Sequence, residues 1–177
     1  MLLTPTIEPI QAARASSRLV KTARRLQAQL ACLAFAFEDI SAKAGVVAEL
    51  GLGMGRTYDH LRWHLGDREI YVFDRVNAAL ADCQPPPDRL ILGEIAATFP
   101  RFVGDFAGRV VLANCDLGSA DRASNRAVAE MVSSLVPPAM AAGGLIMADL
   151  PISPDDCEPL PLPAGAEDGS YFLFRKR

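Results

Sequence analysis

With 177 residues, half of them hydrophobic and 22% charged, the chain has the composition of one ordered globular domain that closes its core without disulfides or metal. A formal net charge of −3 offers polyanions no general attraction, so a small-molecule substrate is expected rather than nucleic acid. The four cysteines, Cys32, Cys83, Cys115 and Cys157, form no CxxC pair and read as reduced thiols, which excludes a disulfide scaffold and a zinc framework.

The first ten residues are broken by Pro5 and Pro9 and lack the pattern of a secretory signal. The longest apolar run, residues 30–37, falls well short of the roughly 20 residues of a membrane span. The expectation is a cytoplasmic protein with no membrane partner. Over residues 13–40 apolar side chains recur at Leu19, Ala23, Leu26, Leu30, Leu33, Phe37 and Ile40, in steps of four and three, which predicts one long helix. Its apolar stripe is expected to dock on the chain's own sheet, with pairing to a second copy in a homodimer as the alternative. Arg14, Arg18, Lys21 and Arg25 form a basic ridge on another face, read as a solvated surface, with a clamp for a carboxylate as the other reading.

Gly45 ends that rhythm. Val46-Val47-Ala48-Glu49-Leu50 has the form of a strand buried on both faces of a parallel sheet, and it runs into Gly51-Leu52-Gly53-Met54-Gly55. A helix over 57–65 follows, with Thr57 as its cap and Gly66 after its end. Residues 69–74 form a second strand, 78–82 a short helix stopped by Pro85-Pro86-Pro87, and 89–92 a third strand. Residues 109–113 form the fourth strand, 120–136 a helix capped by Ser119 and stopped by Pro137-Pro138, and 144–148 the fifth strand. Beyond Asp149 only 171–175 reads as a strand. Strands alternating with helices imply right-handed crossovers and a mostly parallel sheet covered on both sides.

In such sheets ligands bind beyond the carboxyl ends of the strands. Glycines after the first strand let a ligand approach bare backbone and let the chain turn through positive φ into the helix. Asp74, ending the second strand, is placed to accept hydrogen bonds from ribose hydroxyls. Loop and acid together indicate a nucleoside ligand. The rival is a dinucleotide bound through G-x-G-x-x-G, whose third glycine falls on Arg56 when read from Gly51 and on Tyr58 when read from Gly53.

An acid followed by glycines at alternate positions, Glu49 with Gly51, Gly53 and Gly55, resembles motif I of the class I S-adenosylmethionine-dependent methyltransferases, and the resemblance runs from Val46 to about Asp149. It implies a three-layer Rossmann-like α/β fold, its mostly parallel sheet finished by an antiparallel C-terminal strand, here with an added long N-terminal helix. Residues 1–177 would form one domain, with 1–44 as a helical cap and 45–177 as the cofactor-binding core. The family usually adds two strands after the fifth; with little chain left after Asp149, one of them is expected to be short or missing. The run Gly55-Arg56-Thr57-Tyr58-Asp59-His60-Leu61-Arg62 resembles a group of compact methyltransferases without an assigned substrate.

The cofactor implied is S-adenosyl-L-methionine. Glu49, Gly51, Gly53 and Gly55 would line its methionine and ribose side, with Leu50, Arg56 and Thr57 in the same binding set. Asp74 would hold the ribose and Arg75 lie beside the adenine. Gly93-Glu94-Ile95 resembles the family's Gly-Asp-Ala-like turn, so Glu94 would receive the adenine amino group next to Ile95. Asn114, Cys115 and Asp116 occupy the place of motif IV, beside the transferable methyl. The Asn/Asp-Pro-Pro-Tyr signature of many amino-group methylases is missing, so a DNA or protein amide nitrogen is not the expected acceptor.

A sulfonium methyl is already activated, so the protein mainly positions the acceptor and excludes water. Asp116 and His60 are the candidate bases. His60 and His64, one helical turn apart, could present a metal, but Leu61 stands where the glutamate of H-E-x-x-H belongs. Asp116 and Asp149 could hold a divalent ion as in catechol-type methyltransferases, without that motif's neighbouring acids. No metal is therefore expected. Cys115 reads as a buried small hydrophobe, and Trp63 and Tyr58 as core or dimer surface. An NAD(P)-dependent oxidoreductase and a non-catalytic S-adenosylmethionine-binding module are the competing functions.

Overall fold

The computed structural model describes residues 17–177; Arg14 of the basic ridge and the first turn of the expected helix lie outside them. The elements run α1 (Arg18–Ile40), β1 (Val46–Leu50), α2 (Arg56–Leu65), β2 (Ile70–Asp74), β3 (Leu90–Leu92), α3 (Ile95–Phe106), β4 (Val110–Cys115), α4 (Arg122–Leu135), β5 (Met140–Ala148), β6 (Cys157–Leu160) and β7 (Phe172–Lys176). They build a seven-stranded sheet in the order β3-β2-β1-β4-β5-β7-β6. Strands β1 to β5 are parallel, and β7 runs antiparallel to both β5 and β6. The three-layer α/β architecture read from the sequence is the one observed.

Alternation along the strands divides the core in two. Val46, Ala48 and Leu50 of β1 and Phe73 of β2 pack with α3 and α4 on one face. Val47 of β1 and Ile70 and Val72 of β2 pack with α1 and α2 on the other. The winding reverses between β1 and β4, since β2 and β3 lie to one side of β1 and β4 and β5 to the other. A crevice therefore opens at the carboxyl ends of these strands.

Expectations for α1, α2 and α4 need correction. The buried face of α1 is Ala28, Gln29, Cys32, Leu33, Ala36 and Ile40, so only the second half of the helix docks on the sheet; Leu19, Leu26 and Leu30 remain 79%, 38% and 53% exposed. Helix α2 starts at Arg56, with Gly55 in the left-handed region as its N-cap and no side-chain cap; Thr57 instead accepts a hydrogen bond from Gln29 Nε2 at 3.2 Å. Helix α4 is capped by Asp121, whose carboxylate accepts from Ala123 N–H at 3.0 Å, and not by Ser119.

The segment expected as a helix over 78–82 forms no α-helix: 78–80 have no regular structure and Ala81–Cys83 form a 3-10 turn, followed by another at Pro87–Arg89. Side chains there bond backbone and so compete with helix: Asn77 Oδ1 accepts from Ala79 N–H at 3.2 Å, and Gln84 Nε2 donates to Ala79 O at 2.7 Å. Helix α3 goes unforeseen because Pro100 lies inside it. It forms because Phe99, Phe102 and Phe106 recur on one face and meet Tyr71 and Phe73 of β2 in tilted and edge-on contacts at centroid separations of 4.6–5.2 Å, burial that offsets the missing N–H. Both strands after β5 are present, where one was expected to be short or missing: β6, of four residues, is the short one and completes the sheet beyond β7.

Polar ties fix α1 over the sheet. Arg68 donates to Ile40 O, Lys43 O and Gly45 O at 2.8–3.1 Å, satisfying carbonyls at the helix end. Asp39 pairs with Lys43 and Arg175, and both cations also donate to Gly143 O. This anchoring lets the first half of α1 overhang the ends of β1 and β4. Among the described residues no helix is long and apolar enough to cross a membrane.

Candidate active site

Each strand end contributes a short loop to the crevice, and backbone bonds continue the ladder into those loops. Gly51 N–H donates to Phe73 O at 2.8 Å, Asp116 N–H to Leu50 O at 3.0 Å, Gly93 N–H to Asp74 O at 2.9 Å and Asp149 N–H to Cys115 O at 3.1 Å. The resulting space of about 410 Å³ is lined by Gly51, Gly53, Asp74, Arg75, Glu94, Ile95 and Asp116, together with Leu117, Gly118, Ser119, Ser124, Val128 and Met131. Seven of the expected site residues are thus brought together.

The three loop glycines have different work. A Cβ on Gly51 would lie 2.2 Å from Asp116 O, and on Gly55 2.7 Å from the Cβ of Cys83, whereas on Gly53 it would meet nothing within 4 Å. All three have positive φ. Gly51 lets the β1 and β4 loops touch, Gly55 seats the loop on the segment 79–83, and Gly53 alone presents bare backbone to open space. Asp74 holds this arrangement: its Oδ2 accepts from Leu52 N–H at 2.8 Å and Gly53 N–H at 3.0 Å. The loop is therefore shaped by the same carboxylate that borders the crevice.

Other expected residues lie elsewhere. Leu50 is fully buried in the core. Arg56, Thr57 and His60 line a separate shallow hollow with Leu26, Gln29, Leu30 and Leu33; His60 packs against Phe37 and His64 and lines neither hollow that Asp116 borders. Burial and the neighbouring His64 lower the His60 pKa. Cys115 is buried, and burial with the acids around it pushes its thiol up. Trp63 is exposed and Tyr58 buried. Among the described residues no three His, Cys, Asp or Glu side chains come together as a metal site.

Glu49 and Asn114 face each other across β1 and β4, fully buried, with Asn114 Nδ2 donating to Glu49 Oε2 at 2.7 Å. Glu49 Oε1, Asn114 Oδ1 and the Tyr171 hydroxyl are buried with no partner. Burial drives the Glu49 pKa well above the ordinary carboxylate range. A carboxyl whose folded pKa is raised binds more protons folded than unfolded, so its penalty begins above about pH 4 and grows until the folded pKa is passed. Glu49→Gln should therefore raise Tm at pH 7.5 by roughly 4–8 °C, about 2 kcal/mol for a chain of this size, and leave it unchanged at pH 3. Melting curves across that range check the sign; an unchanged or lowered Tm at pH 7.5 would contradict a buried carboxyl with one oxygen unpartnered.

Sequence reading makes the N-terminal helix a cap and names Arg25 and Asp116, but it misses Gln29 and the residues that follow Asp116. Arg25 Nη1 donates to Asp116 Oδ1 at 3.2 Å and Oδ2 at 3.4 Å, and Gln29 Nε2 donates to Asp116 Oδ2 at 3.0 Å. Arg25 is the member of the basic ridge that meets a carboxylate; Arg18 and Lys21 are exposed. A signal was present in Gln29, a polar residue between apolar neighbours on what proves to be the buried face. Asp149 accepts from Leu117 N–H at 3.1 Å and Gly118 N–H at 2.9 Å; burial and the adjacent Asp116 push its carboxyl up to about 6.

Residues 16–176 match a family model described as S-adenosyl-L-methionine methyltransferase. The chain is similar to the crystal structure of an S-adenosyl-L-methionine methyl transferase from Silicibacter pomeroyi DSS-3, with 41% identity, 92% of this chain and 99% of that chain covered, and a TM-score of 0.88. It shares its fold with magnesium protoporphyrin IX methyltransferase from Synechocystis PCC 6803 with bound SAM, at 9% identity, 93% and 87% coverage and TM-score 0.55. A mycinamycin-pathway methyltransferase in complex with Mg, SAH and mycinamycin VI matches at 14% identity, 93% and 49% coverage and TM-score 0.55. No curated protein matches the sequence.

Proposed function

The chain belongs to the S-adenosyl-L-methionine methyltransferase family, and from this we propose that its methyl donor lies in the crevice between the β1, β2, β3 and β4 loops, with the acceptor beyond β4 and β5. The enzyme is an S-adenosyl-L-methionine-dependent methyltransferase; the placement of the donor and the residue roles are our reading. The observation that carries it is the bare backbone at Gly53, where an added Cβ would meet no atom of the described residues within 4 Å, beside the Asp74 carboxylate. The donor set fits the cofactor. Asp74 offers an acceptor to ribose hydroxyls, Glu94 to an exocyclic amine, and Ile95, Val128 and Met131 supply an apolar wall for a purine. The unpartnered Glu49 Oε1, beneath the loop, suits the α-amino group of the methionine moiety.

When bound, S-adenosyl-L-methionine supplies a methyl group already activated on a sulfonium sulfur. The chain has to orient an acceptor in line and keep water out. Asp116 and Asp149 are the polar groups at the junction of crevice and acceptor side. Asp116 is engaged by the Arg25 cation and by Gln29; among the described residues Asp149 accepts only from the neutral backbone N–H groups of Leu117 and Gly118 and, with its raised pKa, is the group suited to take a proton from the acceptor. His60 has no part in this reading. The overhang of α1, through Arg25 and Gln29, supports residues up to 44 acting as a cap on the core.

A small-molecule acceptor and a cytoplasmic location complete the proposal, supported by the net charge of −3 and by free cysteines at 32, 83, 115 and 157. The exposed Leu19, Leu26 and Leu30 support a homodimer through α1. Calorimetry with S-adenosylhomocysteine and with NAD tests the donor: micromolar binding of the former and none of the latter is expected, and binding of NAD alone would overturn it in favour of an oxidoreductase. If labelled donor binds yet no acceptor from a metabolite extract is ever methylated, a non-catalytic binding role replaces the enzymatic one.

A further inference from the structure

The crevice does not end at Asp116. Asp116, Gly118 and Ser119 also border a second hollow of about 380 Å³ that includes Arg25 and Asp149. That hollow in turn shares Asn125 and Leu150 with a third, of about 620 Å³, against α4 and the chain after β5. The three hollows adjoin through these shared lining residues in one row, a trench, and the third is of a size that suits small ligands. Its apolar floor is Ala129, Leu150 and Pro151, and its charged lining is Arg122, Arg126 and Glu130. The Arg25 guanidinium in the middle hollow is already engaged with Asp116. Among the described residues, Arg122 and Arg126 make no ion pair or side-chain hydrogen bond, and Glu130 takes part in no ion pair.

We propose that the methyl acceptor is a small molecule with an apolar body and an oxyanion, a carboxylate or a phosphate, held at the far end of the trench by Arg122 and Arg126. The inference rests on the donor lying in the glycine crevice. Charge sets the orientation. The carboxylates of Asp116 and Asp149 repel an anion from the middle hollow, so the acid group goes to the two arginines and the nucleophilic atom faces Asp149. The forked guanidinium donors match either oxyanion. Ala129, Leu150 and Pro151 cover the apolar body between the two ends.

Benzoate, phenyl phosphate and benzyl alcohol serve as probes, titrated by ligand-observed NMR with and without saturating S-adenosylhomocysteine. The proteins are wild type, the double variant Arg122→Ala/Arg126→Ala, and the control Arg101→Ala, which removes an exposed arginine of α3 outside the trench. At least one anion should bind tenfold or more tightly than benzyl alcohol, and the double variant should lose that advantage while the control keeps it. Whichever anion binds more tightly identifies the oxyanion. Equal binding of all three probes, or anion binding untouched in the double variant, overturns the inference. The donor reading fails separately: S-adenosylhomocysteine that does not bind, with anion binding still dependent on the two arginines, sinks that reading and leaves Arg122 and Arg126 as an anion site with no methyl acceptor assigned to it.

Discussion

Replacing Asp74 with alanine lowers the affinity for S-adenosylhomocysteine by about 100-fold, some 3 kcal/mol. Two losses combine in that figure. The carboxylate holds Leu52 N–H and Gly53 N–H, and hydrogen bonds to a charged acceptor contribute about 1.5–3 kcal/mol each; without them the loop is no longer set for a ligand. In the proposed complex the same side chain also accepts from the ribose. Asp74→Asn separates the two effects, because one amide oxygen can still hold the loop while the charge is gone, and it should cost only about tenfold. Calorimetry on both variants, with circular dichroism to verify folding, checks the order. Equal affinities for wild type and Asp74→Ala would remove Asp74 from the site.

The second large effect divides two glycines that sequence spacing treats alike. In Gly51→Ala the new methyl would sit 2.2 Å from the backbone oxygen of Asp116, at a φ of +98°, and neither loop can yield without breaking the β1–β4 ladder. Overpacking and backbone strain together should cost about 3–5 kcal/mol and lower Tm on the order of 10 °C. In Gly53→Ala φ is +49° and no atom lies within 4 Å, so the fold loses only about 1–2 kcal/mol. Its methyl instead occupies the open face of the crevice, and affinity for S-adenosylhomocysteine should fall at least tenfold. Thermal melts and calorimetry on the pair read this crossed pattern; a Gly53→Ala protein that binds as wild type would mean that no ligand approaches that backbone.

The parallel core was legible because its strands are short apolar runs bounded by glycine, proline and charge, with β1 and β4 at the centre buried on both faces. The glycine loop and Asp74 were legible because the backbone turn they serve restricts residue type. Helix α3 was hidden by Pro100, whose local penalty is outweighed by an aromatic cluster that exists only when α3 meets β2. The same kind of non-local contact decides Gly55, which spacing alone would give to the ligand and packing gives to Cys83 and Ala79. Periodicity made all of α1 an apolar stripe, yet the sheet is shorter than the helix, so Leu19, Leu26 and Leu30 stay in solvent. The pairing of Arg25 and Gln29 with Asp116 joins residues far apart in sequence, and no local pattern announces it.

A crystal structure of the protein with S-adenosylhomocysteine addresses the central proposal directly. The nucleoside is expected in the crevice, with ribose hydroxyls on Asp74, the purine against Ile95 and Met131, and the sulfur facing the Asp116–Asp149 junction. Density for the ligand elsewhere, with Gly53 still facing solvent, would contradict it.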